Sequence, residues 1–423
     1  MDTDKPAVLY SAFDVVPSPK GASTHITYFV RGLVDAGYRV QLITAGDPSL
    51  LERDTYCGAD MLRVPGGDDP NFLKRAIEFG QAVMRHLDGR IARSVRPYVG
   101  MPPYDDEIKG AIPIAPYAVA HFRSIWCGLP IVQAQSRFGY KTLFEVNGLP
   151  SVELKYHYPA LKGSAVLSKI KEQEIATLLL ADAIICPSAV TRTFIASLGI
   201  SREKITVIPN GVDTKLFTPQ PLNPPSDSPT LLYVGTLADW QGLDLLIEAM
   251  SAIVAQSPAK LKIVGRGRGR QHKDLAKRIR RLGLEDYVSI EPAAPHHEMP
   301  AIIAQADVCL APLAYNDRNV TQGCCPLKVI EYMACARPIV AANLPVVREL
   351  ARDDVDALLF TPDDPADLAR CVLAILNDVS LAQRLAGSAA ERAGDKFSWR
   401  EAQKKLVKVY EKLLDEGRTT NDP

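Results

Sequence analysis

KITVIPNGVDTKLFTPQPLNPPSDSPTLLYVG occupies residues 204–235 and divides the chain into two parts. It begins with the β-branched run KITVIP (204–209) and ends with TLLYVG (230–235), and both runs are typical of strands. Between them, residues 217–229 contain five prolines and lack a periodic apolar face. Such a composition is typical of an exposed, semi-rigid linker. We therefore expect one domain on each side of this linker.

Short apolar runs alternate with longer helical patterns on both sides of the linker. The predicted strands are 7–13, 38–44, 141–146, 183–186, 204–209, 230–235, 260–265, 307–312, 337–342 and 357–360. The predicted helices are 21–36, 164–180, 188–198, 241–256, 270–282, 296–305, 326–336 and 364–377. Strands separated by helices in this way indicate parallel sheets that are covered on both faces. The sequence thus predicts an α/β fold of two doubly wound domains, with a ligand site in the cleft between them.

Composition excludes several classes of protein. The 423 residues are 47% hydrophobic and 23% charged, which is typical of globular domains. Lysine plus arginine (49) balances aspartate plus glutamate (49), so no overall positive charge favours nucleic acid. No apolar run is long enough to span a bilayer, and MDTDKPAVLYSAF lacks the features of a secretion signal. Eight scattered cysteines without C-x2-C spacing argue against zinc cages and disulfides, so we expect a cytoplasmic protein.

Two glycine-containing turns follow predicted strands. In SPKGASTH (18–25), Gly21 and Ala22 open a helix, where small residues let a ligand approach backbone amides. In VGRGRGR (264–270), position 270 is arginine, so the third glycine of a dinucleotide fingerprint is missing. We interpret the second turn as a loop near phosphates that includes Arg266. For both turns the alternative is a purely structural role.

The stretch NDRNVTQGCCPLKVIEYMACARP (316–338) contains the sharpest candidate site. Pro326 suits a first helical turn, and Lys328 and Glu331 then lie on one face near the start of that helix. A helix start supplies free amides for a diphosphate, and a glutamate one turn deeper can accept two hydrogen bonds from a ribose. The alternative is a surface ion pair between positions i and i+3.

A polar, aromatic stretch, FEVNGLPSVELKYHYP (144–159), follows another predicted strand. We interpret Glu145, Asn147 and Glu153 as residues that recognise the acceptor, since planar polar groups and aromatic faces hold sugars. The alternative is a surface turn with a capped helix.

Asp354-Val355-Asp356 has the spacing with which some transferases hold a divalent metal ion. It lies between a predicted helix and a predicted strand, where polar turn residues are expected. We therefore predict no metal site here.

Several ordered motifs resemble the retaining GT-B glycosyltransferases of family 4. They are ITVIPNGVDTKLFTP (205–219), YVGTLADWQGLDLLIEAM (233–250), ADVCLAPL (306–313), PLKVIEYMACARPIV (326–340) and QEIATLLLADAIICPS (173–188). The resemblance implies two Rossmann-like domains, 1–217 and 218–397, with helix 398–423 returning to the first and a hinge near 217–229. Residues 45–118 resemble the family least.

The resemblance also implies roles for individual residues. Glu331 would bind the ribose, and Gly21 and Ala22 would lie under the donor phosphates. The pocket for sugar and diphosphate would include a further group from the second domain: Gly235, Arg266, Gln322, Gly323 and Cys324.

The chain departs from the family at three charged positions. The first glutamate of the family's Glu-x7-Glu pair is Gly323 here, and the usual arginine and lysine are Thr236 and Gln241. Another cation must then neutralise the leaving diphosphate in place of a metal ion. Lys328 is our first candidate, with Arg318 and Arg266 behind it.

In the first domain, AHFRS (120–124) resembles a strand end where relatives often carry histidines. His121 and Arg123 occupy those places, so the resemblance adds both to the candidate catalytic residues. A structural role is the alternative for His121.

The implied activity is transfer of a sugar from a nucleotide diphosphate, UDP- or GDP-sugar first, to a carbohydrate or lipid-linked hydroxyl acceptor, as in polysaccharide biosynthesis. No cofactor and no metal are expected. The alternatives are a nucleotide-sugar-binding partner subunit without turnover and a nucleotide-sugar epimerase of the same fold. A basic run at Arg85, Arg90, Arg93 and Arg96 suggests peripheral contact with the inner face of a membrane, against the alternative of a solvated helix face.

Overall fold

The first domain is built on an eight-stranded sheet in the computed structural model of the chain, which describes residues 5–47, 49–64, 71–89 and 117–418. The strands are β1 Ala7–Val15, β2 Arg39–Ala45, β3 Arg53–Tyr56, β4 Ala59–Val64, β5 Val119–Phe122, β6 Lys141–Glu145, β7 Ala183–Cys186 and β8 Ile205–Val207. Their order is β3-β4-β2-β1-β5-β6-β7-β8, and every neighbouring pair is parallel except β3 with β4.

Helices cover both faces of this sheet and bury separate apolar clusters on its two sides. They are α1 Gly21–Asp35, α2 Phe72–Leu87, α3 Ile125–Gln133, α4 Gln135–Phe138, α5 Pro150–His157, α6 Ala165–Leu180 and α7 Ala189–Ser197. Strands buried on both faces explain why the runs read as continuous apolar stretches rather than as alternating ones.

The second domain is built on a six-stranded parallel sheet of order β11-β10-β9-β12-β13-β14. Its strands are β9 Thr230–Thr236, β10 Lys260–Arg266, β11 Val288–Pro292, β12 Val308–Ala311, β13 Ile339–Ala342 and β14 Leu358–Phe360. Its helices are α8 Leu243–Val254, α9 Gly269–Arg281, α10 Met299–Ala304, α11 Leu327–Ala334, α12 Pro345–Arg348, α13 Pro365–Asn377 and α14 Val379–Lys396. The predicted α/β fold of two doubly wound parallel sheets is therefore confirmed.

The chain crosses between the domains twice, at adjacent points. The Val212 amide donates to the Phe397 carbonyl, and the Trp399 amide donates to the Val212 carbonyl. Beyond this crossing, α15 (Trp399–Arg418) packs on α1, where Trp399 and Tyr410 join the core of the first domain. Residues 419–423 of the predicted returning helix lie outside the described residues.

The hinge that we expected at 217–229 is displaced from the true crossing. Phe217 is buried in the core of the second domain, and the buried Arg337 donates to the carbonyls of Gln220 and Pro221. The proline-rich segment is thus fastened along the second domain. The chain passes between the domains earlier, at Val212.

Some elements escaped prediction for local reasons. β3 and β4 form a hairpin whose turn is Cys57-Gly58, both at positive φ (52° and 81°). Asn-Gly and Asp-Gly are the usual signals of this turn, so a cysteine there hides it. The short strands β5 and β11 were not predicted, and neither were the helices α2, α3, α5 and α14.

The structure bears on two expectations about membranes, the absence of a spanning segment and the basic run at Arg85. Among the described residues, none of the helices combines the length and apolarity needed to cross a bilayer. Arg85 lies on α2, whereas Arg90, Arg93 and Arg96 lie outside the described residues.

The strand orders place a ligand site. In each sheet, strands are added first on one side of the starting strand and then on the other, so the strand order switches between β1 and β5 in the first domain and between β9 and β12 in the second. Ligands of open α/β sheets bind beyond the carboxyl ends of the strands at such points. Both points open onto the cleft between the domains.

Candidate active site

The cleft encloses about 800 Å³ and is lined from both domains. The starts of α1 and α11 approach each other across it, since a Cβ atom added to Gly21 would lie 2.9 Å from Leu327 Cδ1. Helix starts carry free amides and a partial positive charge. Two of them converging on one cavity make a site for an anionic ligand.

Lys328, in the first turn of α11, is the buried amine of this site. Its Nζ donates to Gln241 Oε1 at 2.7 Å and lies 3.8 Å from the centre of the Tyr233 ring. Burial holds the pKa of the Lys328 amine well below its usual range, so an anionic ligand would restore its charge. Gln241 in turn lies 3.5 Å from Thr236 Oγ1. With an anionic ligand bound, Lys328 would therefore bring a positive charge next to Gln241 and Thr236.

Glu331, one turn deeper in α11, lines the same cleft. Its Oε1 lies 3.0 Å from His296 Nε2, and the His296 ring packs against Phe217 at 5.1 Å. The carboxylate is thus held by one histidine, which also lines the cleft. Its geometry leaves acceptor capacity for a diol in the cleft.

Arg123 belongs to a buried charge network at the end of β5. Its Nε donates to Glu145 Oε1 at 2.6 Å, and its Nη1 lies 3.4 Å from Asp14 Oδ2 and from the Ala22 carbonyl. Burial alone would lower the pKa of Arg123, but Glu145, Tyr10 and Asp14 raise it. Arg123 therefore stays charged and lines the cleft.

The structure adds His25 and Asn210, which sequence analysis did not single out. His25 Nε2 lies 2.9 Å from Glu145 Oε1, and its Nδ1 lies 2.6 Å from Asn210 Oδ1. Asn210 Nδ2 donates to the Cys325 carbonyl at 2.6 Å, which joins the two domains. The signal was present, because His25 closes the quoted SPKGASTH motif and Asn210 belongs to VIPNGVD.

Two candidates lie beneath the cleft rather than in it. His121 is completely buried, with Nε2 3.1 Å from Glu145 Oε2 and Nδ1 2.8 Å from Tyr410 Oη of α15. Glu145 is held by histidines, Arg123 and the Tyr10 hydroxyl. We correct both assignments. His121 cannot touch a substrate from this place, and Glu145 has no accessible oxygen for an acceptor. Asn147 lines the cleft and donates to Glu145.

Arg318 and Glu153 bridge the domains. Arg318 Nε donates to Glu153 Oε1 at 3.1 Å, and Gln322 Nε2 donates to the same oxygen at 3.2 Å. The Leu149 amide donates to Gln322 Oε1 at 2.8 Å. Glu153 is thus bound to the second domain and is not free to bind an acceptor. Gln322 is fully buried and does not line the cleft. The residues after it, Lys155 and Tyr156, bind Asp317 in the same bridge.

Gly323 faces the first domain and not the cleft. Its φ is +83° with ψ 168°, a region that essentially only glycine adopts. A Cβ atom there would lie 2.8 Å from Thr191 Oγ1 and 2.9 Å from the Thr191 amide nitrogen. The placement in a phosphate pocket is therefore corrected. The missing glutamate has a physical reason, since the packed α7 leaves no room for a side chain.

We predict that Gly323→Glu destabilises the protein by about 3 kcal/mol or more, from backbone strain plus overlap. Gly139→Glu is the matched control, since Gly139 also has positive φ (+73°) but no atom within 4 Å of an added Cβ. That change should cost only about 1–2 kcal/mol. Chemical unfolding of the two variants measures both values. Equal losses would contradict the packing argument.

The remaining predicted residues all line the cleft. They are Gly21, Ala22, Gly235, Arg266 and Cys324. Gly235 must lack a side chain, since its φ is +146° and a Cβ would lie 2.9 Å from Lys328 Nζ. Cys324 is buried, which raises the pKa of its thiol. Arg266 is exposed at the rim.

Asp354 and Asp356 form ion pairs with arginines and do not line the cleft. Asp354 Oδ1 accepts from Arg384 at 2.8 Å, and the buried Asp356 accepts from Arg352 and Ser388. Among the described residues, no cluster of three or more histidine, cysteine or acidic side chains has the geometry of a metal site. The pair serves the packing of α14 against the preceding turn.

Comparison with known proteins matches both domains to one family. A family model described as Glycosyltransferase Family 4 matches residues 19–216, and one described as Glycosyl transferases group 1 matches residues 228–378. A D-inositol 3-phosphate glycosyltransferase of Thermobispora bispora is 26% identical over 309 residues, 69% of this chain and 67% of that protein. Across five relatives so described, the chain spans 51–68% of their own lengths.

Solved structures share the fold over nearly the whole chain. Sucrose-phosphate synthase of Thermosynechococcus elongatus aligns with a TM-score of 0.79 at 20% identity, over 97% of this chain and 100% of that one. Anabaena HepE, crystallised with UDP and glucose, aligns with a TM-score of 0.72 at 16% identity, over 96% and 100%. With both domains matched by family models and the shared two-domain architecture, the chain belongs to the family 4, group 1 glycosyltransferases of the GT-B fold.

Proposed function

We propose that this chain is a retaining glycosyltransferase that moves a sugar from a nucleotide diphosphate to a hydroxyl acceptor, with UDP- and GDP-sugars as the first donors to test. The observation that carries the proposal is the arrangement of α11, which puts the Lys328 amine and the Glu331 carboxylate in one cleft. Glu331 would accept hydrogen bonds from the ribose. The start of α11 would receive the diphosphate.

Charge balance at the diphosphate supports turnover without a metal ion. Lys328 Nζ is 2.7 Å from Gln241, and Arg318 and Arg266 line the same cleft. Preorganised cations and amides of this kind stabilise a leaving group as its charge develops. If a divalent ion is not required, turnover will persist in excess EDTA. A loss that magnesium restores would contradict this part of the proposal.

A front-face substitution fits the state of two carboxylates, Glu145 beneath the cleft and Glu153 in its lining. Glu145 is bound to Arg123 and two histidines, and Glu153 is bound to Arg318. Neither is free to act as a covalent nucleophile. The leaving diphosphate would itself take the acceptor proton, through an oxocarbenium-like state. Retention of anomeric configuration in the product, read by NMR, tests this step.

Lys328 also bears on the alternative of a partner subunit without turnover. That alternative rests on Gly323, Thr236 and Gln241, three uncharged residues at positions where the family carries charge. The amine of Lys328, bonded to Gln241, would supply charge at two of these positions once a diphosphate binds. An epimerase would instead need additional acids facing the sugar. Sugar appearing on an acceptor, rather than isomerised on its nucleotide, separates the two reactions.

The decisive experiment measures binding and turnover with UDP-, GDP- and ADP-sugars. We expect one donor to bind and Glu331→Gln to weaken it by about 10- to 100-fold, because a charged hydrogen-bond acceptor for the ribose is lost. Glu298→Gln is the matched control, on an exposed residue next to His297 and outside the cleft lining. Equal affinity of wild type and Glu331→Gln, or no donor bound at all, would refute the proposal.

A further inference from the structure

Arg75 is a cation of the cleft that the donor site leaves unused. It lies on α2 of the first domain and lines the cleft. Its Nε is buried and has no hydrogen-bond partner, and the guanidinium forms no ion pair with any described residue. A partly buried cation without a counter-charge costs folding free energy. A ligand that supplies the counter-charge would remove that cost.

An aromatic wall lies beside Arg75, formed by Phe13, Phe72, Trp126 and Tyr158. Phe72 is central to it, with ring centres 5.7 Å from Phe13, 5.7 Å from Trp126 and 6.1 Å from Tyr158. Phe72 and Arg75 are three residues apart on α2, so they lie on the same helix face. Aromatic faces of this kind pack against sugar and polyol rings.

The wall reaches the second domain at one end. Arg268 lies over the Tyr158 ring at 5.0 Å, and its Nη1 donates to the His157 carbonyl at 2.8 Å. Arg75 and the aromatic wall belong to the first domain, whereas the α11 start with Lys328 and Glu331 belongs to the second, and both line the same cleft. A molecule on the wall would share the cleft with the donor.

We infer that Arg75 and the aromatic wall form the acceptor subsite, and that the acceptor is a hydroxyl compound carrying a phosphate group. The phosphate would pair with the Arg75 guanidinium, which suits phosphate oxygens through its parallel N–H groups. The ring or chain that carries the reacting hydroxyl would lie on the aromatic wall. This inference rests on the proposed function and names the class of its second substrate.

The test measures binding of matched probes to the whole chain saturated with UDP. The probes are myo-inositol with inositol 3-phosphate, and glycerol with glycerol 3-phosphate, followed by isothermal titration. We expect a phosphorylated member to bind more tightly than its neutral partner. Arg75→Gln should weaken that binding by about 10- to 100-fold, Arg75→Lys should restore part of it, and the UDP Kd should stay unchanged.

Arg85→Gln is the matched control for the soluble probes, because Arg85 lies on the same helix but lines an apolar groove outside the cleft. Vesicles containing phosphatidylinositol, compared with phosphatidylcholine alone, extend the test to a lipid headgroup. Arg75-dependent binding to those vesicles, or to a soluble phosphate ester, supports the inference and tells the two sources apart.

The inference is overturned if phosphorylated and neutral probes bind alike, both free and in vesicles. It is also overturned if Arg75→Gln weakens UDP as much as it weakens the phosphorylated probe, since Arg75 would then belong to the donor site. Failure of the proposed function gives a different result. In that case no nucleotide sugar binds, whether or not Arg75 holds a phosphate.

Discussion

Glu145→Gln is expected to lower the unfolding free energy of the first domain by about 3–5 kcal/mol. The carboxylate is the shared counter-charge of a buried cluster, with Arg123 Nε at 2.6 Å, His25 Nε2 at 2.9 Å and His121 Nε2 at 3.1 Å. A neutral amide of the same size would leave Arg123 buried beside only the more distant Asp14. Breaking such an ion pair costs more than the pair contributes. For a domain of ~200 residues, the unfolding midpoint should fall by roughly 6–20 °C.

The pH dependence of this loss has a definite sign. Burial would raise the pKa of Glu145, but His25, Arg123 and His121 outweigh it and hold the pKa well below its usual range. A lowered pKa contributes stability above the unfolded-state value of about 4.3, and that contribution fades as pH falls through the folded-state pKa. The difference between wild type and Glu145→Gln should therefore be present at pH 7 and should shrink once the pH falls below about 4.3.

Glu174→Gln is the matched control on α6. Glu174 is also buried, and it accepts from the amide of Ser151 and from its hydroxyl. Burial raises its pKa to about 7, so the neutral form is favoured in the folded state. A raised carboxyl pKa makes stability fall as pH rises from about 4.3 to about 7, and glutamine should remove that fall. Similar destabilisation by both variants at pH 8 would contradict the charge-cluster account.

Lys328→Met should reduce kcat by about 10²- to 10³-fold, the usual cost of removing one group that stabilises developing charge. The unliganded protein should not lose stability with it. Burial lowers the pKa of the amine, so the folded state already disfavours its charge. Replacing a buried ionisable group by an apolar one of similar size is often neutral or stabilising, and we expect a gain of about 1 kcal/mol. Steady-state kinetics and unfolding of the empty protein measure the two effects.

Lys328 also links nucleotide binding to protons. A bound diphosphate would raise the pKa of Lys328 from its lowered value towards the usual value of about 10.4. Between those two values binding must take up a proton, so UDP affinity should fall with rising pH, by up to tenfold per pH unit. Lys328→Met should abolish this fall. Lys262→Met, on β10 and paired with Glu291 outside the cleft lining, should leave it intact. A pH dependence shared by wild type and Lys328→Met would exclude Lys328 as the linked group.

The alternation of short β-branched runs with helical patterns was sufficient for the architecture, since apolar periodicity is a local property. The predicted strand 183–186 coincides with β7, and 230–235 falls within β9. Lys328 and Glu331 could also be located from sequence, because a helix that follows a parallel strand begins at the ligand edge of the sheet. The hairpin of β3 and β4 was missed because Cys57 gives no turn signal.

The site itself depends on partners that are far apart in the sequence. Glu145 contacts His25, 120 positions before it, and Gln322 contacts Glu153, 169 positions before it. No local pattern reveals that His121 is buried beneath α15 or that Gly323 is packed against α7. The sequence by itself determined two doubly wound domains and the helix start that opens onto their cleft, because backbone propensity and apolar spacing are set by neighbouring residues. Only the tertiary structure decided which charged groups are buried as counter-ions and which stay free for a ligand, because desolvation and pairing depend on what packs around each side chain.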